Sequence, residues 1–232
     1  MTKKNTARLA GFVYLLVVIT GIFNLAYVPT QLIVWSDAAA TVNNIMSSEF
    51  LFRSGIVAGI LCYIFYLILP FLLFDLFKEV NKNMAVLMVA LAATSVPISL
   101  FNMVNKVDVL TLLSGAQYLD ALGMEQIQIQ VMLLLESYNN GISVVQIFWG
   151  LWLFPFGYLA FKSGYIPKIL GISLMLGCFG YLIFFFGGML FPDISIPHLI
   201  KRPATFGEIG TCLWLLIMGI KEKPNKQQEV QA

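Results

Sequence analysis

Charged residues are scarce in this chain of 232 residues, because Asp, Glu, Lys and Arg together make up only 11% of it. A soluble domain carries about 25%. Apolar residues make up 59%, and so few charges could not cover that much apolar surface in water. The composition therefore excludes a soluble globular domain, and it equally excludes a disordered chain, a coiled coil and a disulfide scaffold. We predict an integral membrane protein whose main partner is the lipid bilayer.

Residues that usually carry catalysis or bind metals are also few. The one histidine is His198, and the three cysteines lie inside long apolar runs without CxxC spacing. A single histidine cannot build a two-histidine zinc site, and no HExxH, GxSxG or P-loop motif is present. We expect no catalytic residue, no metal and no cofactor. A net charge of +2, with the basic residues in ones and twos, also argues against nucleic acid as a partner.

Long uncharged runs are what the sequence has in abundance. A membrane-spanning helix needs roughly 20 apolar residues, and five runs reach that length. A sixth run is weaker because Glu208 lies inside it, although a position in the first turns makes this acid less costly. The predicted spans are about residues 9–28, 54–74, 84–104, 137–161, 167–191 and 204–220. We expect an all-α, six-helix membrane bundle forming a single domain over residues 1–232, with a short mobile C-terminal tail at 221–232.

The distribution of basic residues predicts the orientation of the bundle. With six alternating spans, ten Lys and Arg residues fall on the side of the N-terminus, and four fall on the other side (Arg53, Lys106, Lys201 and Arg202). Basic residues are enriched in cytoplasmic loops. The count therefore predicts that both termini are cytoplasmic in a multi-pass protein of the cell inner membrane. It also supports the sixth span, because without it Lys221, Lys223 and Lys226 would lie outside.

Two segments beyond the spans are expected to be helical. Residues 35–48 read as a short helix at the membrane surface, with Ser36 as its N-cap. Residues 127–131 alternate like a strand, but a lone strand beside a membrane would leave its edges unpaired. The apolar residues of 124–138 also form one helical stripe, so we expect a helix here. Spans 3 and 4 would then extend beyond the outer face of the bilayer.

Polar residues of spans 3 and 4 recur at helical spacing. Ser95, Ser99, Asn102 and Lys106 share one face of span 3, and a second stripe on span 4 begins at Glu136. Because polar groups facing lipid are costly, we expect both stripes to face inward. We infer a polar cavity open to the extracytoplasmic side and closed toward the cytoplasm. The candidate cavity residues are Arg53, Asn102, Lys106, Glu136, Asn140, Gln146 and Glu208.

The same residues allow a second interpretation. Amides and hydroxyls in membrane spans often act as hydrogen-bonding contacts between helices, and charged residues near helix ends can extend to the membrane surface. Gly55 and Gly59 form a GxxxG pair, which favours close helix packing either within the chain or in a homo-oligomer. The favoured function is a binding or transport bundle for an unknown small molecule. A structural or partner-subunit role is the alternative, and an intramembrane enzyme is the least favoured class.

Four stretches carry a more specific pattern: Ala7–Gly11 continuing to Thr20–Phe23, Phe52–Gly55, Gly157–Gly171 and Trp214–Gly219. They resemble a family of bacterial membrane proteins known as domain of unknown function 4386. The third stretch is the most distinctive, since it contains Lys162-Ser163-Gly164-Tyr165-Ile166-Pro167. The resemblance implies a bundle of several membrane-spanning helices. It implies no established activity and supplies no catalytic residues.

Overall fold

The computed structural model describes residues 2–119 and 121–220, and 84% of them are helical. No strand occurs in these two ranges, so the predicted all-α class is confirmed. The predicted tail at 221–232, with Lys221, Lys223 and Lys226, lies outside the described residues.

Helices follow one another with short connections. In chain order they are α1 (Lys3–Ile22), a π-helical segment (Phe23–Tyr27), α2 (Val28–Leu32), α3 (Ala38–Ser47), α4 (Glu49–Phe77), α5 (Lys82–Asn102), α6 (Val104–Leu112), α7 (Met124–Leu151), α8 (Leu153–Ser163), α9 (Lys168–Leu190) and α10 (Arg202–Ile217). Short 3-10 turns lie at Gln117–Leu119 and His198–Lys201.

Five helical segments of the described chain are long and apolar enough to cross a membrane. They are Lys3–Leu32, Glu49–Phe77, Lys82–Leu112, Met124–Ser163 and Lys168–Leu190. These segments contain the first five predicted spans almost completely. The segment predicted as the sixth span forms α10, which has only 16 residues. Several apolar helices of this kind indicate a membrane protein.

The helical extensions of spans 3 and 4 are present. α6 continues span 3 to Leu112, and α7 begins at Met124, so residues 127–131 are helical and not a strand. The short surface helix is present as α3, but its N-cap is Asp37, whose carboxylate accepts a 2.8 Å hydrogen bond from the Ala40 N–H. The prediction of Ser36 as the cap was wrong by one residue.

Two long segments are interrupted where the helical hydrogen bonds change. α7 gives way to α8 at Trp152, three residues before Pro155. Proline has no N–H and therefore leaves the carbonyl four residues earlier, that of Leu151, without its helical partner. α5 gives way to α6 at Met103, whose N–H is shared between the Ser99 and Leu100 carbonyls.

The helices pack as a closed ring in chain order. α1 lies between α4 and α10. α4 packs on α5, and α5 packs on α7 and α8. α9 packs on α7, α8 and α10, which closes the ring.

An ion pair marks one end of the bundle. Lys3 at the start of α1 donates to the carboxylate of Glu79, between α4 and α5, and this hydrogen bond lowers the pKa of Glu79. We call this end of the bundle the amino-terminal end. We call the opposite end, where α4 begins and where α5 is followed by α6, the outer end.

Aromatic side chains fill the ring on the amino-terminal side. Trp152 is fully buried, and its ring centroid lies 5.1 Å from Phe156, 5.3 Å from Tyr66 and 6.4 Å from Tyr14. Phe77 continues the cluster through Phe156 at 6.1 Å. We call these five buried aromatic residues the aromatic floor.

Candidate ligand cavity

The π-helical segment creates an unusual backbone acceptor in the interior. The Val28 N–H donates to the Phe23 carbonyl, five residues back, so the Asn24 carbonyl loses the partner that an α-helix would supply. A continued π-pattern would pair it with residue 29, but that residue is Pro29 and has no N–H. The Asn24 carbonyl therefore needs a donor from another helix.

Lys106 on α6 supplies that donor. Its side chain is only 2% exposed, and its ammonium donates to Asn24 Oδ1 at 2.8 Å and to the Asn24 carbonyl oxygen at 3.4 Å. The ammonium also lies 4.1 Å from the centre of the Tyr138 ring, and Tyr138 Oη accepts from Asn24 Nδ2 at 3.0 Å. We call Lys106, Asn24 and Tyr138 the Lys106 node. It joins three segments of the ring.

Asn102 ties the same region to α7. Its Nδ2 donates to the Tyr138 carbonyl at 2.8 Å, and its Oδ1 accepts from Asn105 at 3.0 Å. Gly141 permits this contact, because a Cβ at that position would overlap the Asn102 amide. Asn102 therefore acts as an interhelical contact, as the second interpretation of the sequence proposed for amides. Lys106 also contacts a neighbouring segment, whereas that interpretation expected its side chain to extend to the membrane surface.

A cavity of about 280 Å³ lies directly beside the Lys106 node. Asn24 is part of its wall. The other lining residues come from α1, the π-helical segment, α4, α7, α9 and α10, and include Tyr14, Cys62, Tyr63, Tyr66, Trp149, Tyr181, Thr205 and Glu208. Tyr14 and Tyr66 belong to the aromatic floor, so the cavity ends above it. We call this space the tyrosine cavity.

The cavity opens sideways between α1 and α10. At the amino-terminal end these helices are in close contact, because Gly11 packs against the backbone of Leu215 and Leu216. Toward the outer end, the lining residues Ile22 and Ile209 are 57% and 42% exposed. The opening is therefore on the side of the bundle and has an apolar rim.

One acidic side chain lies on the otherwise mostly apolar wall of the cavity. Glu208 is half-buried, and the hydrogen bond that reaches its carboxylate comes from the Tyr14 hydroxyl at a long 3.4 Å. The Tyr63 and Tyr66 hydroxyl oxygens are buried away from the cavity surface and make no hydrogen bond of normal geometry within residues 2–119 and 121–220. The Tyr63 hydroxyl lies close to those of Tyr138 and Ser99.

The seven residues predicted for one cavity occupy several places. Glu208 lines the tyrosine cavity, and Asn102 and Lys106 lie in the interior next to it. Gln146 and Lys106 line a second recess of about 290 Å³. The remaining three are exposed toward the outer end and line other recesses.

Arg53, Glu136 and Asn140 lie toward the outer end. The Arg53 Nε donates to Glu49 at 2.6 Å, one helical turn away, and Arg53 lines a groove with Ser114. Glu136 and Asn140 are exposed and line an outer recess of about 590 Å³ beside Trp35. No ion pair joins Lys106 to Glu136 in the described ranges; the pairs there are Lys3–Glu79, Arg53–Glu49 and Lys78–Asp75.

Sequence reasoning missed the aromatic part of the site. Tyr14, Tyr63, Tyr66 and Tyr181 were not among the candidates, although each lies well inside an apolar span. Tyrosine is usually enriched at the two membrane interfaces. A tyrosine far from a span end was therefore the signal that could have identified them.

Among the described residues, no group of three His, Cys, Asp or Glu side chains could hold a metal ion.

Comparison with known proteins assigns the chain to a family. The model of the family described as Domain of unknown function (DUF4386) matches residues 9–219. This chain belongs to that family. The resemblance expected from the four sequence stretches is confirmed, and the match includes every residue of the tyrosine cavity and the Lys106 node.

Other relatives add little to the family assignment. An uncharacterised protein of Archaeoglobus fulgidus is 33% identical over 87 residues, which cover 38% of this chain and 51% of that protein. The chain thus spans about half the length of this curated relative. No solved structure matches the chain. The function of this DUF4386 protein must therefore be argued from the cavity itself.

Proposed function

We propose that this DUF4386 protein is a six-helix bundle of the cytoplasmic membrane that binds an amphipathic small molecule in the tyrosine cavity. In this arrangement α10 is the sixth span and both termini are cytoplasmic. The amino-terminal end faces the cytoplasm, and the cavity opens within the extracytoplasmic half of the bilayer. Ten basic residues on the cytoplasmic side against four on the other support this orientation.

The observation that carries the binding function is a mostly apolar cavity of about 280 Å³ with an acidic side chain on its wall. Within the described residues, the Glu208 carboxylate accepts one long hydrogen bond, from Tyr14, and belongs to none of the ion pairs. Mostly apolar cavities with a few convergent polar groups are typical small-molecule sites. An ionisable residue inside a membrane bundle is likewise a functional candidate.

The structural role remains the second candidate, and the Lys106 node favours it. Lys106 and Asn102 direct their donors to neighbouring helices, which accounts for both residues without a ligand. This explanation does not extend to the tyrosine cavity, where the Glu208 carboxyl group lies on the wall with one long hydrogen bond. An enzymatic role has no positive support from either region.

Quenching of tryptophan fluorescence tests whether the cavity binds a molecule. Trp149 lines the cavity, and the probe is 4-bromobenzyl alcohol, a neutral quencher, added to the full-length protein in detergent micelles. We expect saturable quenching that is absent in a Trp149→Phe variant. Gly21→Leu should abolish saturation, because Gly21 lines the cavity and its nearest neighbour is Cys62 Sγ, 3.4 Å from an added Cβ.

Gly188→Leu is the matched control. It makes the same substitution in another apolar helix, at a position where an added Cβ meets nothing within 4 Å and which does not line the cavity. Saturable quenching should survive in this variant. Quenching that rises linearly with probe in all four proteins would overturn the proposed binding function.

A further inference from the structure

We propose that the ligand of the tyrosine cavity is a lipophilic organic cation, such as a quaternary ammonium ion with an aromatic or aliphatic arm. This inference rests on the ligand-binding function proposed above and adds the charge and chemical class of the ligand.

Glu208 supplies the first argument. Its carboxyl group lies on the cavity wall inside an apolar bundle, and none of the ion pairs in the described ranges includes it. A carboxyl group away from water either takes up a proton or is paired with an opposite charge, because desolvation strongly disfavours an isolated carboxylate. No residue that lines the cavity is a lysine, arginine or histidine. A ligand with one positive charge would complete this site.

Aromatic rings supply the second argument. Tyr14, Tyr63, Tyr66, Trp149 and Tyr181 all line the cavity, and the Tyr63 and Trp149 ring centroids are 6.4 Å apart with planes tilted by 31°. The face of an aromatic ring carries partial negative charge and attracts cations, and several rings around one space form the type of cage that binds quaternary ammonium groups. Glu208 and the rings thus favour the same sign of charge.

An anion fits the site poorly. Two lysines contact residues of the cavity wall, and both are directed elsewhere. The Lys106 ammonium points to Asn24 and the Tyr138 ring, and the half-buried Lys201 ammonium lies 3.6 Å from the Phe184 ring centre and 5.9 Å from that of Tyr181. An anion in the cavity would meet the Glu208 carboxyl group and five aromatic residues instead. The apolar rim at Ile22 and Ile209 also favours a ligand with a lipophilic part, because such a molecule can enter from the bilayer.

Competition against the bromobenzyl alcohol signal tests the charge of the ligand. The two competitors are benzyltrimethylammonium and neopentylbenzene, which have the same shape and differ by the positive charge. Concentrations are expressed as mole fractions in the micelle, so that partitioning does not enter the comparison. We expect the cation to bind the native protein at least about tenfold more tightly than the hydrocarbon, as desolvated cation–aromatic contacts and an opposite charge require.

Glu208→Gln tests the residue that carries the argument. We expect it to lower the affinity for benzyltrimethylammonium at least about tenfold and to leave the affinity for neopentylbenzene within about twofold, because only the charge is removed. Glu208→Asp should retain most of the preference for the cation. Glu136→Gln is the matched control, since Glu136 is exposed outside the cavity, and it should change neither affinity.

The outcomes separate the two proposals. Equal affinity for the two competitors, or a preference for the cation that persists in Glu208→Gln, would overturn the inference about charge while saturable quenching still supports a binding cavity. Absence of saturable quenching in the native protein would overturn both proposals together.

Discussion

Lys106 is the residue whose role is explained most completely by local chemistry. A lysine with 2% exposure would be costly if its charge were not compensated. Here it is held by two oxygens of Asn24 and by the Tyr138 ring. The proline five residues after Asn24 removes the donor that would otherwise occupy the backbone oxygen. The Lys106 ammonium therefore supplies the donor that the Asn24 carbonyl lacks, and Asn24 supplies the acceptors that the buried ammonium needs.

Substitutions at both ends of this contact should destabilise the fold unequally. Lys106→Met leaves the Asn24 carbonyl buried without a donor, which should lower the free energy of unfolding by about 1–3 kcal/mol. Asn24→Leu should cost more, because it leaves a buried cation short of its closest acceptor and an unpaired charge is the more expensive loss. Thermal unfolding in detergent, followed by circular dichroism, measures both effects.

Lys82→Met is the control for the loss of a lysine, since Lys82 is exposed at the start of α5. It should leave the unfolding midpoint nearly unchanged. Equal stability of Lys82→Met and Lys106→Met, or a smaller effect for Asn24→Leu than for Lys106→Met, would contradict this account of the node.

Sequence patterns at the residue scale identified one polar face and misjudged another. Ser95, Ser99, Asn102 and Lys106 are all buried, in agreement with the inward face deduced from their spacing. On span 4 the corresponding residues Glu136, Asn139, Asn140 and Ser143 are exposed. Spacing places side chains on one face, but it cannot say which face a neighbouring helix covers.

At the scale of elements, small residues decide where the helices approach each other. Gly11 on α1 contacts the backbone of α10, and Gly207 on α10 contacts Leu174 of α9. Gly55 and Gly59 face Val28 and Asn24 of their own chain. Close packing by this pair therefore occurs within the chain, and association with a second copy through it stays a prediction.

Alanine at two glycines of α1 should have opposite effects. At Gly11 an added Cβ would lie 2.6 Å from the Leu216 Cα and 2.7 Å from the Leu215 carbonyl carbon, and backbone atoms cannot move aside easily. We expect Gly11→Ala to cost about 1–3 kcal/mol or more of unfolding free energy. At Gly21 the nearest atom is 3.4 Å away, so Gly21→Ala should be neutral or stabilise by up to about 1 kcal/mol through helix propensity.

The two variants share one helix and one substitution, so each is the control for the other. Their unfolding midpoints in the same detergent provide the comparison. If Gly11→Ala were as stable as Gly21→Ala, the close contact between α1 and α10 would be incorrect, and so would the closed side of the tyrosine cavity.

For the whole molecule, the main question is how many times the chain crosses the membrane. Five described helices meet the length and apolarity of a span, whereas α10 contains Glu208 and has 16 residues. α10 nevertheless packs against both α1 and α9 and closes the ring. A helix in this position is surrounded by protein on two sides, which reduces the cost of a polar residue.

Reporter fusions test the complete topology. Fusions after Lys82, Lys168 and Met218 should show a cytoplasmic reporter, and fusions after Asn44, Leu122 and Ile200 should show an external one, because the basic residues are concentrated on the first side. The fusion after Met218 is decisive. An external reporter at that site, together with an external reporter after Ile200, would mean that α10 does not cross the bilayer.

The sequence alone was sufficient to predict the helical class, the five helices long and apolar enough to cross a membrane, and their approximate ends. These properties follow from local quantities, namely the number of charges and the length of apolar runs, which do not depend on how the helices pack. The interior position of Lys106 also followed from helical spacing.

Tertiary structure alone decided where the cavity lies. Tyr14, Tyr66, Tyr181 and Glu208 come from four different helices, and no spacing along the chain relates them. Their convergence depends on the ring order of the helices and on the close approach at Gly11. The packed bundle likewise decides which polar groups lack hydrogen-bond partners. The partners of a buried hydroxyl come from neighbouring helices, and their positions are known only once the helices are packed.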